Sequence, residues 1–275
     1  MNIPLEDNVS DIIGKAQRGL KLPPVAPPQN EAEIRRLAGR LRLGADALVA
    51  SANQSWHPAD PGPIEGLACF TTPYEDMTVN SYVVFDPATK AAAAFDTGAD
   101  CSGMLQLPVK IQQVFITHIH GDHIFDLDRL KEKPGARALV SEGEPVAGAE
   151  TFPDGRTFSI GQLKVETRRT SGHSRGGVTY VVTGLSRRLA IVGDAIFAGS
   201  MGGGLISYEE ALRTNRESIL TLPGDTVICP GHGPLTTVGE EALHNPFFAP
   251  SRRPVSAASP PVPMPKSGCS RGNMV

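Results

Sequence analysis

The residues with the clearest chemical potential lie in the run Gln113-Val114-Phe115-Ile116-Thr117-His118-Ile119-His120-Gly121-Asp122-His123. Residues two apart on extended chain point to one side, so His118 and His120 are expected to face together at the end of an apolar strand over 113–117. Gly121 lets the chain turn, and Asp122 and His123 are expected to open a helix over 122–132. Imidazole and carboxylate are the donors that hold zinc, iron or manganese in hydrolytic sites. Two more histidines stand among small residues in loops: His173 in Thr170-Ser171-Gly172-His173-Ser174-Arg175-Gly176-Gly177, and His232 in Cys229-Pro230-Gly231-His232-Gly233-Pro234. Asp194, in Val192-Gly193-Asp194, ends another apolar strand. Small neighbours let a metal approach closely, and five histidines with two aspartates are enough for two ions.

Two cations sharing a water would bring its pKa towards about 7, making hydroxide available to attack a carbonyl carbon. Such chemistry needs no serine or cysteine nucleophile. Ser171, Ser174 and Cys229 are therefore read as loop and packing residues, and Glu142, Glu144 and Glu166 show no pairing that suggests a carboxylate dyad.

Elements that would position these residues can be read along the chain. Val9, Ile12, Ile13 and Ala16 recur at helical spacing after the possible cap Asn8, with Gly19 as a stop. The proline-broken stretch 22–30 cannot be helix interior. Ile34, Leu37 and Leu41 then share a face, Gly44 makes a turn, and a second short helix is expected over 45–51. This helix–turn–helix run of about twenty residues resembles the last two helices of a small repressor-type DNA-binding domain, with prolines where the reading helix would sit. Strands are expected at 81–85, 91–95, 113–117, 136–140, 162–166, 178–182, 189–192 and 225–229. Asp86-Pro87-Ala88-Thr89-Lys90 turns between the first two. Helical patterns fall at 122–132, 207–220 and 239–244. Early hairpins followed by strands alternating with helices point to an α/β sandwich.

The 275 residues include 29 glycines and 24 prolines, an excess that favours loops and short elements over a helical bundle. A net charge of −3 gives no whole-chain attraction to nucleic acid or anionic lipid. No apolar run approaches the roughly 20 residues of a membrane helix, and the N-terminus lacks a signal-peptide pattern. The four cysteines show no paired spacing, so a cytoplasmic location is expected. The chain divides into a helical N-terminal appendage (1–62), a main domain (63–249) and a proline-rich tail (250–275) expected to be disordered.

The ordered set Thr117–His123 (THIHGDH), 171–174 (SGHS), 193–200 (GDAIFAGS) and 230–234 (PGHGP) resembles the metallo-β-lactamase-fold hydrolases over nearly all of 67–248. The resemblance implies an αββα sandwich with the site at one edge, between the sheets. It also implies that His118, His120 and His173 hold one metal, that Asp122, His123 and His232 hold the second, and that Asp194 bridges them. Asp122 would in addition orient the attacking hydroxide. Asp96, in Phe95-Asp96-Thr97-Gly98, matches a strand-end aspartate that orients a ligand. The cofactors implied are two divalent ions, zinc first, with iron or manganese accepted by the same donors.

Segments 193–199 and 230–241, with Asn245-Pro246-Phe247-Phe248, look like the short glyoxalase II-like thioesterases, which hydrolyse S-acylglutathione, chiefly S-lactoylglutathione. The chain departs from that pattern in two places. A proline-rich tail stands where full-length glyoxalase II has a helical region, and Gly199-Ser200-Met201-Gly202-Gly203 replaces a Gly-Cys-Gly-Arg element. Arg175 is the candidate replacement for that arginine, and Tyr180 and Tyr208 are candidates for the pocket wall. A small-molecule thioester or ester is the expected partner, with neither membrane nor nucleic acid. Alternatives are a lactonase or other esterase on the same two metals, a mononuclear-iron persulfide dioxygenase, a nuclease, or a DNA-binding regulator with a metal-sensing domain.

Overall fold

The computed structural model describes residues 3–132 and 135–250; the tail expected to be disordered lies, apart from Pro250, outside the described residues. Apolar runs of the first half pair as β1 (Leu67–Tyr74), β2 (Met77–Phe85), β3 (Ala91–Phe95), β4 (Lys110–Phe115), β5 (Arg137–Ser141) and β6 (Glu150–Phe152), in that spatial order. The pairing is antiparallel from β1 to β3 and parallel from β3 to β6. The second half forms another six-stranded sheet from β7 (Thr157–Ile160), β8 (Leu163–Arg169), β9 (Val178–Thr183), β10 (Leu189–Gly193), β11 (Val227–Pro230) and β12 (Thr236–Thr237). All its neighbours are antiparallel except β10 and β11.

The inner faces of the two sheets share one core. Phe95 stacks on Phe115 at 5.2 Å between ring centroids, and Tyr180 from the other sheet meets both. Tyr180 is fully buried and donates its hydroxyl hydrogen to Ile116 O, so it packs the sandwich interior and does not line a pocket. On the outer face of the first sheet, Val83, Ala94 and Val114 pack against Met104, Leu127 and Leu130 from α4 (Ser102–Leu105) and α6 (Leu127–Lys131). On the outer face of the second, Ala190, Val192 and Ile228 meet Ile196, Ile219 and Val238. The layers are therefore αββα, as the sequence resemblance implied.

At the N-terminus, α1 (Val9–Gly19) begins at Asn8, whose side chain accepts from Ser10 N and Asp11 N in a full capping box. Helices α2 (Glu31–Leu41) and α3 (Ala45–Ala52) meet near Gly44. Their apolar faces do not close on themselves. Ile12, Leu37, Leu41 and Leu48 share a cluster with Met201, Tyr208, Ala211 and Phe247. Tyr208 thus packs on these helices through its place in α7 (Tyr208–Thr214).

Differences from the sequence reading have local causes. The helix expected over 122–132 is two short ones, α5 (Gly121–Ile124) and α6, because Asp126 leaves the helical path to accept from Cys101 N while its own N–H donates to Thr97 Oγ1. The pattern 207–220 begins as α7 and continues as a π-helical turn, Asn215–Ile219, where Asn215 Nδ2 donates to Ala195 O. Strand β4 stops at Phe115, two residues early, because Thr117 N turns to Asp96 Oδ1 at 2.7 Å. Strands β1, β6, β7 and β12 were not anticipated. The final α8 spans Val238–His244.

Candidate metal centre

Every residue singled out for metal chemistry lies just past a strand end, in a loop or in the short helix α5 at the same edge of the sandwich. Asp96 follows β3, and His118 and His120 follow β4 in extended chain. Asp122 and His123 sit in α5, and His173 lies in the β8–β9 loop. Asp194 comes directly after β10 and His232 two residues after β11. Parallel neighbours at β3–β4 and β10–β11 bring the carboxyl ends of those strands together, as in other α/β sites.

Side-chain atoms converge in two groups: His118, His120, His173 and Asp194; and Asp122, His123 and His232. In the first, His120 Nδ1 is 3.0 Å from both His118 Nε2 and His173 Nε2, and His173 Nε2 is 3.4 Å from Asp194 Oδ2. In the second, Asp122 Oδ2 lies 3.4 Å from His123 Nε2 and 3.3 Å from His232 Nε2. Asp194 Oδ1 stands 3.2 Å from His123 Nε2 and 3.4 Å from His232 Nε2. Asp194 thus turns one oxygen to each group.

These spacings test whether a metal fits. A tetrahedron with bonds of about 2.0–2.1 Å has edges near 3.3 Å, and most of the separations above are close to that. Asp194 Oδ1 and His123 Nε2 are both buried without a hydrogen-bond partner among the described residues. Buried polar atoms are rarely left so, and a cation between them would satisfy both. The donor set suits two divalent ions.

The far side of each ring decides which nitrogen is free. His123 Nδ1 donates to Asp96 Oδ2 at 2.8 Å, His173 Nδ1 to Gly203 O at 2.8 Å, and His232 Nδ1 to Thr78 O at 2.6 Å. Each bond fixes the tautomer that leaves an Nε2 lone pair pointing into the centre. His118 Nδ1 meets Thr117 Oγ1 at 3.0 Å, while that hydroxyl donates to Asp96 Oδ2 at 2.7 Å.

Electrostatics divides the histidines. Burial holds His118 and His173 below the ordinary imidazole range. Burial also opposes protonation of His123, but Asp194 and Asp96 outweigh it and raise the ring to about 10. At His232 burial is again outweighed, here by the Asp122 and Asp194 carboxylates 3.3 and 3.4 Å from its Nε2, which lift it to about 11. Asp194 is held well below the carboxylate range by His123 and His232 despite its burial. A site this rich in carboxylate charge favours cations.

Glu144 was missed as a positioning residue. It is buried and accepts from Ile119 N at 3.0 Å and from Gly176 N at 2.9 Å. One carboxylate therefore ties the loop bearing His118 and His120 to the loop bearing His173. Its partners are backbone groups 25 and 32 residues away, so no local sequence signal marks it. Arg175 follows His173 by two residues and is exposed, on the rim of a cleft shared with Ser141, Glu142, Asp154 and Arg169.

Comparison with known proteins places this geometry. Residues 74–232, more than half the chain, match the family model of the metallo-beta-lactamase superfamily. A probable metallo-hydrolase, YqgX of Bacillus subtilis, is 29% identical over 219 residues, covering 70% of this chain and 97% of that one. The human mitochondrial persulfide dioxygenase ETHE1 is 30% identical over 196 residues, 66% of this chain and 72% of its own. A hydroxyacylglutathione hydrolase of Methylobacterium nodulans is 31% identical over 156 residues, 54% of this chain and 60% of its own. Among solved structures, the BLEG-1 B3 metallo-beta-lactamase superposes with a TM-score of 0.56 at 25% identity, covering 66% of this chain and 99% of that one. With its αββα layers and paired His/Asp groups at the sandwich edge, the chain belongs to the metallo-β-lactamase superfamily.

Proposed function

We propose that the protein is a two-metal hydrolase that cleaves thioesters, with S-acylglutathiones of the S-lactoylglutathione kind as its substrate class. The observation that carries the reading is Asp194, whose two oxygens face separate donor groups 3.2–3.4 Å away. Divalent cations, zinc first among them, would supply an acidified water and a polarised carbonyl. His118, His120 and His173 would hold one ion, Asp122, His123 and His232 the other, with Asp194 spanning both. Asp122 lies on the open side of its group, about a tenth of its side chain exposed, where its carboxylate can orient the attacking water. Asp96, Gly203 O and Thr78 O keep three imidazoles in the ligating tautomer, and Glu144 keeps two ligand loops at fixed separation. Neither Cys229, which is fully buried, nor Ser171, whose Oγ donates to Glu210, is free to act as a nucleophile.

The glutathione assignment draws on the motif resemblance and on the hydroxyacylglutathione hydrolase relative. A second reading, a mononuclear-iron persulfide dioxygenase, draws on the similarity to ETHE1 over two thirds of the chain. The run Gly199-Ser200-Met201-Gly202-Gly203, in place of Gly-Cys-Gly-Arg, departs from both patterns. Among the described residues no helix is long and apolar enough to cross a membrane, which suits a small soluble substrate. Release of free thiol from S-lactoylglutathione by metal-assayed protein tests the proposal. A kcat/KM above about 10⁴ M⁻¹s⁻¹, within the ordinary enzyme range, supports it; no turnover with both metals bound removes the substrate assignment.

A further inference from the structure

The N-terminal helical region reaches the metal centre through the short segment that precedes α1. His57 Nε2 donates to Ile3 O at 2.8 Å, pinning one end. Asp7 pins the other, accepting from Lys15 Nζ and from Ser200 Oγ in the loop beyond Asp194. Lys15 Nζ also donates to Met201 O at 2.9 Å and sits 5.2 Å from the centre of the Phe197 ring. Phe197 in turn packs edge-on against His232 at 5.5 Å.

Between the two pins, residue 6 lies against the His232 loop. A Cβ built on Gly233 would stand 3.3 Å from Glu6 N and 3.6 Å from Glu6 Cβ, so the backbone of the segment rests directly on that glycine. The Glu6 carboxylate is half-buried and feels the charges of His232, Asp7, Lys15 and Asp194. It has no hydrogen-bond or ion-pair partner among the described residues, whereas neighbouring Asp7 has two. Exposed large apolar side chains near the ligand loops are Ile119, Phe125, Leu205 and Ile206, and the exposed Arg175 follows His173 by two residues. Phe125 meets Tyr74 edge-on at 5.6 Å.

We propose that residues 3–8 form a fixed wall of the metal centre's entrance and that Glu6 is a substrate-positioning carboxylate, receiving an ammonium or amide N–H group on the substrate's non-acyl arm. A carboxylate can only accept. One carried on backbone that rests on the His232 loop, and left without a partner, is matched by a donor and repels a second carboxylate. Ile119, Phe125, Leu205 and Ile206 offer the acyl group apolar surface. The assignment of arms rests on the thioesterase reading; the placement of Glu6 does not.

The test reads binding before turnover. Metal-loaded wild type, Glu6→Gln and Glu6→Lys are titrated calorimetrically with three thiophenols that differ only in the para group: aminomethyl, hydroxymethyl or carboxylate. Wild type should bind the ammonium thiol about tenfold more tightly than the carboxylate thiol, about 1.4 kcal/mol. Glu6→Gln should bring the ratio close to one and Glu6→Lys should reverse it, with metal content and hydroxymethyl affinity unchanged. With S-acyl derivatives of the same thiols, Glu6→Gln should raise KM for the ammonium compound and leave kcat in place. A ratio indifferent to residue 6 overturns the proposal, and so does loss of metal in Glu6→Gln, which would make Glu6 a support of the ions. If S-lactoylglutathione is not hydrolysed while the thiol ratio follows residue 6, the thioesterase reading falls and the positioning role stands.

Discussion

His123 donates its Nδ1 hydrogen to Asp96 Oδ2 across 2.8 Å, and Asp96 holds that position from a left-handed backbone at φ +54°. The same carboxylate accepts from Thr117 N and Thr117 Oγ1, so three donors share two oxygens. Asparagine tolerates the left-handed region but offers a single oxygen. Asp96→Asn should therefore keep the fold while lowering metal affinity about 10–100-fold, the usual cost of losing a ligand's supporting partner. Competition with a chelator measures it; unchanged affinity would remove Asp96 from the positioning of His123.

Metal uptake should release protons. With the ions absent, His123 at about 10 and His232 at about 11 are both protonated at pH 7, and each must lose its Nε2 proton to bind. Affinity is then highest above these values and falls as pH drops below them. Calorimetry in buffers of different ionisation enthalpy should find about two protons released per chain at pH 7. No release would mean that the rings are already neutral.

Glu144 offers a test of loop positioning away from the ligands. Glu144→Gln keeps the shape but sets an amide N–H₂ against one of the two backbone N–H groups it now satisfies. An unsatisfied buried donor costs about 1–3 kcal/mol. An ion at the proposed His118, His120 and His173 site should dissociate faster, with the other group less affected. Stepwise metal release distinguishes the two, and equal loss from both groups would contradict the clamp.

A buried carboxyl behind the site gives a pH signature of stability. Glu241 accepts from Gly199 N, Thr236 Oγ1 and Asn245 Nδ2, and burial, only partly offset by these bonds, raises it from 4.5 to about 8. A raised carboxyl stabilises the fold fully below its unfolded value, and that contribution is lost as pH rises through about 8. Glu241→Gln, which cannot ionise, should gain several degrees in Tm relative to wild type between pH 5 and 9. Parallel melting curves across that range would mean that Glu241 is not protonated in the fold.

The donor groups were legible in the chain because their signal is local. His118, His120, Asp122 and His123 are packed into six residues, and His173 and His232 stand among glycines that announce loops. Sheet strands of dense β-branched residues, such as Val178–Thr183, were equally plain. Strand β1 was hidden because Pro73 breaks its run at the sheet edge, and β12 because two residues make no pattern. Glu144 acts through backbone partners that only the fold brings near. The N-terminal helices were visible from Asn8 and the Ile12–Ala16 spacing, yet their apolar faces gave no sign that Met201 and Phe247 would complete their core.

The central claim is that hydrolysis here uses two ions and no oxygen. The direct measurement is thiol release from S-lactoylglutathione under strict anaerobiosis while metal is added back stepwise to metal-free protein. The account expects activity to rise until two ions are bound per chain and to be indifferent to air. Activity that saturates with one iron and requires oxygen would contradict it.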